Sequence, residues 1–187
     1  DKLKRIFYGV RPCDIKAIGL MREFFLGGIC DKPYEEKFKR SVFIAVSCTK
    51  RCLDTAFCDE IGSGPAAKSG FDLQLFSTDK GYIVEIGSKK GNQLVTKNKS
   101  LFTKPSGQDI KEKDSALKNF LKERKPIDYK KLAQIMKQDK VSSAVWDDIG
   151  QRCVVCSGCI TVCPTCSCFS IMDRVSGDKG QRIRYSD

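Results

Sequence analysis

The sequence predicts a mixed α/β protein in three parts: an α/β domain over residues 1–88, a lysine-rich helical linker over 89–145, and a cysteine-dense segment over 146–187. Three observations carry this. Short apolar runs at residues 3–10 and 41–47 flank a helical stretch, the order of a strand–helix–strand unit. Lysines crowd residues 89–140 around apolar positions at helical spacing. Six of the 11 cysteines fall between Cys153 and Cys168.

Residues 3–10 (LKRIFYGV) read as a strand, followed by a turn at Arg11-Pro12-Cys13. Asp14 is a candidate cap for the helix after it, whose apolar side carries Ile15, Ile18, Met21, Phe24 and Phe25. Residues 41–47 (SVFIAVS) have a buried-strand pattern and end at Cys48. Two parallel strands joined by a helical crossover therefore place Cys13 and Cys48 at strand ends. The next stretch, to Gly64, reads as a loop bearing Cys52 and Cys58 and closing on Gly62-Ser63-Gly64-Pro65. It resembles a phosphate-cradling loop only superficially, since no Gly-Lys-Ser/Thr ending follows. Residues 71–76 and 82–86, separated by Asp79-Lys80-Gly81, predict a hairpin.

In the linker, residues 114–124 bring Leu117, Phe120 and Leu121 together, and residues 128–137 do the same for Leu132, Ile135 and Met136. Gly107 and Pro126 mark breaks. These helices read as packing and spacing elements. Trp146 is expected to pack as core over the cysteine-bearing segment, and Cys30, alone in Gly27-Gly28-Ile29-Cys30, to be structural.

The chain has 187 residues with 41% hydrophobic content, enough for one or two small domains with a core. It has no histidine, which excludes Ser-His-Asp triads and every His-ligated metal site within this sequence. An odd number of clustered cysteines argues against a disulfide scaffold and for a reducing, cytoplasmic setting with sulfur ligation. No apolar run reaches the roughly 18 residues of a membrane span. The abrupt start at Asp1 and end at Asp187 read as those of a piece of a longer protein. The net charge of +11, from 34 basic and 23 acidic residues, lies largely in runs such as Lys89-Lys90, Lys97/Lys99, Lys111/Lys113 and 122–125. Acidic residues are interleaved, so this is read as a solvated face or one that docks an acidic redox partner. A nucleic-acid partner is disfavoured because no recognition fold is visible.

The chemistry lies in Cys153-Val-Val-Cys156-Ser-Gly-Cys159-Ile-Thr-Val-Cys163-Pro164, a C-x2-C-x2-C-x3-C-P run. Two-residue gaps let three successive thiolates reach three corners of an iron–sulfur cube. Gly158 allows close chain approach and Pro164 sends the chain elsewhere. Four cysteines in eleven residues suit shared cluster corners better than one tetrahedral zinc. The expected cofactor is therefore a [4Fe-4S] cluster, one or two and with room for more, in a ferredoxin-like C-terminal segment. In two-cluster ferredoxins the fourth cysteine serves the other cluster. Three readings stay open for the fourth corner: a second run beyond Asp187, closure by Cys163 itself, or a ligand from Cys166 or Cys168. The latter two residues read equally as small core side chains.

Cys13, Cys48, Cys52 and Cys58 are candidates for a further metal site, assembled by strand-end loops rather than local spacing. The alternative is ordinary buried cysteines. Arg11 either donates to such a site or pairs with Asp14 or Glu23, while Arg152 and Arg174 supply positive charge that favours reduction of the C-terminal cluster. No residue is placed to act as acid, base or nucleophile.

Together, Gly9-Val-Arg11-Pro12-Cys13-Asp14, Cys48-Thr49, Phe57-Cys58, Gly62-Ser63-Gly64-Pro65, Ser69-Gly70-Phe71-Asp72-Leu73, Val84-Glu85-Ile86-Gly87, Trp146 and the run to Phe169 resemble one family. It is that of the iron–sulfur subunits of anaerobic sulfite reductase and of cytoplasmic sulfhydrogenase, in the latter the β subunit. The resemblance implies two ferredoxin-type [4Fe-4S] clusters and electron transfer between a flavin-bearing partner and a catalytic partner in an anaerobic oxidoreductase complex. It also implies a second cysteine run downstream. Ala56 stands where members of this family often have the first Cys of a Cys-Phe-Cys. Two competing functions remain: a Cys-ligated zinc protein that binds nucleic acid through its basic face, and a catalytic cluster with an open iron site.

Overall fold

A computed structural model of the chain describes residues 3–122, 127–167 and 169–186, with the backbone alone at 184 and 186. It divides into two compact units, Asp1–Cys153 and Val154–Asp187.

The first unit is built on a four-stranded sheet in the order β1-β2-β3-β4. The apolar runs form β1 (Arg5–Val10) and β2 (Ser41–Val46), which pair in parallel. β3 (Leu73–Thr78) lies parallel to β2, and β4 (Gly81–Ile86) returns antiparallel to β3 through the Asp79-Lys80 turn. The crossover from β1 to β2 holds two helices, α1 (Pro12–Leu26) and α2 (Lys32–Arg40). α2 is additional to the single helix expected. Its start is fixed by the Asp31 carboxylate, which accepts the Tyr34 N–H at 3.0 Å. Asp14 does not cap α1 from outside. It lies within the first turn, where its carboxylate accepts the Arg11 N–H at 3.3 Å, because Pro12 already opens the helix.

Ile15 from α1 packs with Phe43 and Ala45 of β2 and with Phe71, and Val10, Ile18, Phe38 and Ala67 close around them. Ile15, rather than Phe24, anchors the helix, since Phe24 remains largely exposed. Two buried polar side chains replace missing ladder bonds beside this core. Asp72 accepts the Phe43 N–H at 2.8 Å and also bonds the hydroxyl of Ser88, the residue that caps the next helix. Gln74 holds both the N–H and the carbonyl of Ala67, at 2.7 and 3.2 Å, which pins the loop ahead of β3.

The lysine-rich stretch forms α3 (Lys89–Lys97), a short 3₁₀ turn at Lys99–Leu101, α4 (Gly107–Lys122) and α5 (Tyr129–Lys137). α4 starts earlier than its apolar residues alone require, with Ser106 and Asp109 bonded reciprocally at its entry. Phe120, 2% exposed, is the residue by which α4 is buried. Pro126 lies outside the described residues. α6 (Ser143–Arg152) carries Trp146, which is 51% exposed, so the expectation that it packs as core is corrected.

In the second unit, α7 (Gly158–Val162) is followed by the antiparallel hairpin β5 (Phe169–Ser176) and β6 (Lys179–Ser186). The hairpin is a finding of the structure. Its turn is Gly177-Asp178, with Gly177 at φ +62°, the backbone such a two-residue loop needs. A bidentate contact from Arg182 to Asp173, 2.7 Å on each arm, crosses the two strands.

Candidate metal centre

Two groups of cysteines have to be considered, one in each unit. In the first unit the strand ends set the geometry. Gly9 has φ +78°, and the β1–β2 register skips one residue between Tyr8 and Val10. A side-chain-bearing residue resists that backbone, so Gly9 is what lets the strand end bend into Arg11-Pro12-Cys13. Cys13 thus sits in the first turn of α1, and Cys48 lies two residues beyond β2, the neighbouring parallel strand. The Cys48 N–H donates to the Pro65 carbonyl at 2.9 Å, closing the base of the loop that carries Cys52 and Cys58. The Cys58 carbonyl accepts from both the N–H and the hydroxyl of Ser63, at 2.7 and 2.8 Å. The Cys58 sulfur packs against Gly64, where an added Cβ would stand 3.2 Å away.

This loop has no helix or strand of its own and is held by Arg51. The guanidinium donates to the Ala56 carbonyl at 2.7 Å, pairs with Asp59 at 2.8 Å, and lies 5.3 Å above the Phe120 ring. The loop is thereby fastened to α4.

Neighbouring thiols act on Cys48 and on Cys13. Burial pushes Cys48 above the ordinary thiol range, the Arg11 charge opposes this, and the charges of Cys58, Cys13 and Cys52 push further upward. Cys13 is raised chiefly by burial, then by Asp14, with Cys58 contributing. Cys58 is raised by burial and by Asp59, and the Asp59 N–H and Arg51 pull it down. Cys13, Cys48, Cys52 and Cys58 are all free thiols. Cys30 is half-buried and follows α1, at the opposite end of that helix from Cys13.

The second group is the C-x2-C-x2-C-x3-C-P run. Cys153 ends the first unit and caps α6, its N–H donating to the Gly150 carbonyl at 3.2 Å. Cys156, Cys159 and Cys163 belong to the second unit. Val155 and Ser157, on either side of Cys156, have φ of +54° and +57°. Left-handed backbone at a β-branched residue is strained, and alternation of this kind turns successive N–H groups into a concavity suited to an anion. Ser157 then starts α7, its carbonyl accepting from Thr161 at 3.0 Å, and α7 carries Cys159. At the far end of α7, the Cys163 sulfur lies 3.2 Å from the Thr165 hydroxyl. That hydroxyl, then the N–H groups of Thr165 and Cys166, hold the Cys163 thiol below its usual range. Cys166 is half-buried, and Cys168 lies outside the described residues. Arg152 is paired with Asp148, so its charge is partly neutralised locally.

The donor chemistry fits an iron–sulfur group. The run offers exposed thiols, hydrogen-bond donors around the Cys163 sulfur and an anion-accommodating backbone. Among the described residues, no three cysteine or acidic side chains gather tightly enough to ligate a single metal ion.

Residues 152–187 match the family model of the 4Fe-4S dicluster domain. Over 186 residues the chain is 30% identical to Sulfhydrogenase 2 subunit beta of Pyrococcus furiosus, covering 98% of this chain and 54% of that one. The chain is an iron–sulfur protein similar to a sulfhydrogenase β subunit. It spans about half the length of that curated relative. No solved structure matches it. These matches bear out the sulfhydrogenase-type resemblance and the [4Fe-4S] cofactor expected from the cysteine run, and they do not favour the zinc and nucleic-acid alternative. Among the described residues, no helix of this sulfhydrogenase-like chain is long and apolar enough to cross a membrane.

Sequence reasoning missed Thr165 and the Arg51–Asp59 anchor. A hydroxyl two residues after the last cysteine of the run is a visible signal for the first. The second had none, since only the fold brings Arg51 to Asp59 and Phe120.

Proposed function

We propose that the chain is the iron–sulfur electron-transfer subunit of an anaerobic oxidoreductase complex of the hydrogenase or sulfite reductase type. In this reading it works in the cytoplasm, between a flavin-bearing partner and a catalytic subunit. The observation that carries it is the C-x2-C-x2-C-x3-C-P run inside the dicluster-domain match, in a chain similar over nearly its full length to a hydrogenase subunit.

Cys153, Cys156, Cys159 and Cys163 are the ligands of the C-terminal site, and Cys166 and Cys168 are its reserve donors. When bound, the cluster supplies reversible one-electron storage. The chain's own part is to fix the thiolates and tune their charge. Left-handed backbone at Val155 and Ser157 flanks Cys156, and donors at Thr165 and Cys166 draw electron density from the Cys163 sulfur. Each electron accepted from the donor partner is passed to the catalytic partner, so the chain transfers no atoms. Substrate chemistry then belongs to another subunit.

The test is a coulometric titration of the anaerobically reconstituted chain. Reversible uptake of one electron per cluster, with no hydrogen or sulfite turnover by the isolated chain, supports the proposal. Failure to take up electrons reversibly refutes it, and substrate turnover by the chain alone assigns catalysis to its own cluster instead.

A further inference from the structure

We infer that the free edge of β4 is a docking site for an extended, acid-flanked segment of a partner protein, which adds a strand to the sheet of the first unit. Every residue involved lies in that unit and none is a cysteine, so the site is independent of the iron–sulfur ligands.

β4 ends the sheet order β1-β2-β3-β4, so one of its sides is paired with β3 and the other faces outward. Among the described residues no backbone hydrogen bond reaches that outer side. Exposed edges are ordinarily blunted by lysine, proline or a bulge that stops another strand from adding. The strand Gly-Tyr-Ile-Val-Glu-Ile has none of these within its span, and its register with β3 is unbroken from Gly81 to Ile86. Tyr82 is 59% and Ile86 45% exposed, so apolar surface is left open together with backbone.

A groove of about 640 Å³ runs beside this edge, between β4 and the segment from Leu101 to Pro105. Successive residues from Gly81 to Val84 line it, so it follows the strand rather than a single side chain. Tyr82, Val84 and Ile86 alternate onto one face of β4, and Leu75, opposite Val84 on β3, continues that face. Leu101 and Phe102 form the facing wall. Phe102 opens that wall in an extended conformation, and residues 103–105 make no backbone hydrogen bond to the described residues. Six residues of strand span about 20 Å, so the occupant is an extended segment of about that length whose alternate side chains enter the groove.

Charge decides the kind of segment. Lys80 and Lys104 line the groove, both are exposed, and neither is held in an ion pair among the described residues. The carboxylate that lines it, Asp109, is already engaged by the N–H and hydroxyl of Ser106, at 2.8 and 2.6 Å. Apolar side chains flanked by carboxylates therefore match both the groove and its lysines, and a basic segment does not. A second copy of this chain is disfavoured as the occupant, since each copy carries a net charge of +11 and brings its own lysines to the seam.

The experiment uses the full chain and synthetic peptides of alternating valine and threonine: one ended by glutamates, one by lysines, and a glutamate-ended one with alternate backbone nitrogens methylated. Binding is read by fluorescence anisotropy and by amide exchange over residues 81–86. The glutamate-ended peptide is expected to saturate and to slow exchange there, while the other two bind about tenfold or more weakly. Lys80→Glu with Lys104→Glu is expected to reverse the preference between glutamate and lysine ends. Leu101→Asp, at a residue 77% exposed, is expected to weaken binding about tenfold with circular dichroism as in the parent. No saturable binding of the glutamate-ended peptide, equal binding of its methylated form, or unchanged affinities in both variants overturns the inference. So does concentration-dependent protection of residues 81–86 without peptide, which assigns the edge to a second copy. None of these readouts involves iron, so failure here is distinct from failure of the proposed electron transfer.

Discussion

Arg51 and Asp59 form an ion pair at 2.8 Å with only 11% and 1% of their side chains exposed, in the middle of the loop that carries Cys52 and Cys58. The pair, together with the Arg51 bond to Ala56, does for this loop what a ladder of backbone bonds does for a strand. Removing one partner leaves the other charge buried and unmatched. Arg51→Met is therefore expected to lower the urea midpoint and to speed amide exchange at Cys48 and Ser63, whereas Lys39→Met, at an exposed helix pair, changes neither. Hydrogen-exchange mass spectrometry checks this.

Phe120 is the buried foot of α4, and Arg51 rests on its ring. Phe120→Ala should cost about 3–5 kcal/mol of unfolding free energy, through lost burial and the cavity left behind. Chemical denaturation measures it, and the loss should couple to that of Arg51→Met in a double-mutant cycle.

Asp72 ties β2 to the entry of α3 through Phe43 and Ser88. Asp72→Ala leaves a buried N–H without its acceptor and should cost about 1–3 kcal/mol. Ser88→Ala removes one arm only and should cost less, by the same unfolding measurement.

The thiols should titrate in two directions in the metal-free chain. Cys13, Cys48 and Cys58 are raised, chiefly by burial, so their folded form favours the neutral thiol. The stability this gives is fully present below the unfolded thiol range and is lost as pH rises through the folded values. Cys163 is lowered, chiefly by the Thr165 hydroxyl, so its contribution is present above the unfolded range and fades as pH falls through the folded value. In alkylation followed by mass spectrometry, Cys163 should react at lower pH than Cys48. Thr165→Val should shift the Cys163 profile upward and leave that of Cys48 in place.

Much of the first unit was legible because its signals are local. The apolar runs at β1 and β2, the Asp79-Lys80-Gly81 turn and the placing of Cys13 and Cys48 at neighbouring strand ends follow from periodicity and the parallel-crossover rule. α2 was readable in principle, from Asp31, Pro33 and Glu35, but nine residues with little apolar content give a weak periodic signal. The β5–β6 hairpin was obscured by the cysteines before it, although Gly177-Asp178 between two alternating runs is a hairpin signal. Left-handed turns at Val155 and Ser157 were not legible at all, since neither residue is glycine. Trp146 shows the limit of composition, because a large aromatic side chain does not announce which surface it serves.

The central claim is that the cysteine run holds an iron–sulfur cage that cycles by one electron. It is tested most directly by metal and sulfide analysis with electron paramagnetic resonance on chain prepared under strict anaerobiosis and reduced with dithionite. The account predicts iron and sulfide in equal amounts, a visible absorption that bleaches, and a paramagnetic signal that Cys156→Ser removes or alters. Stoichiometric zinc without iron or sulfide, and no signal on reduction, would contradict it.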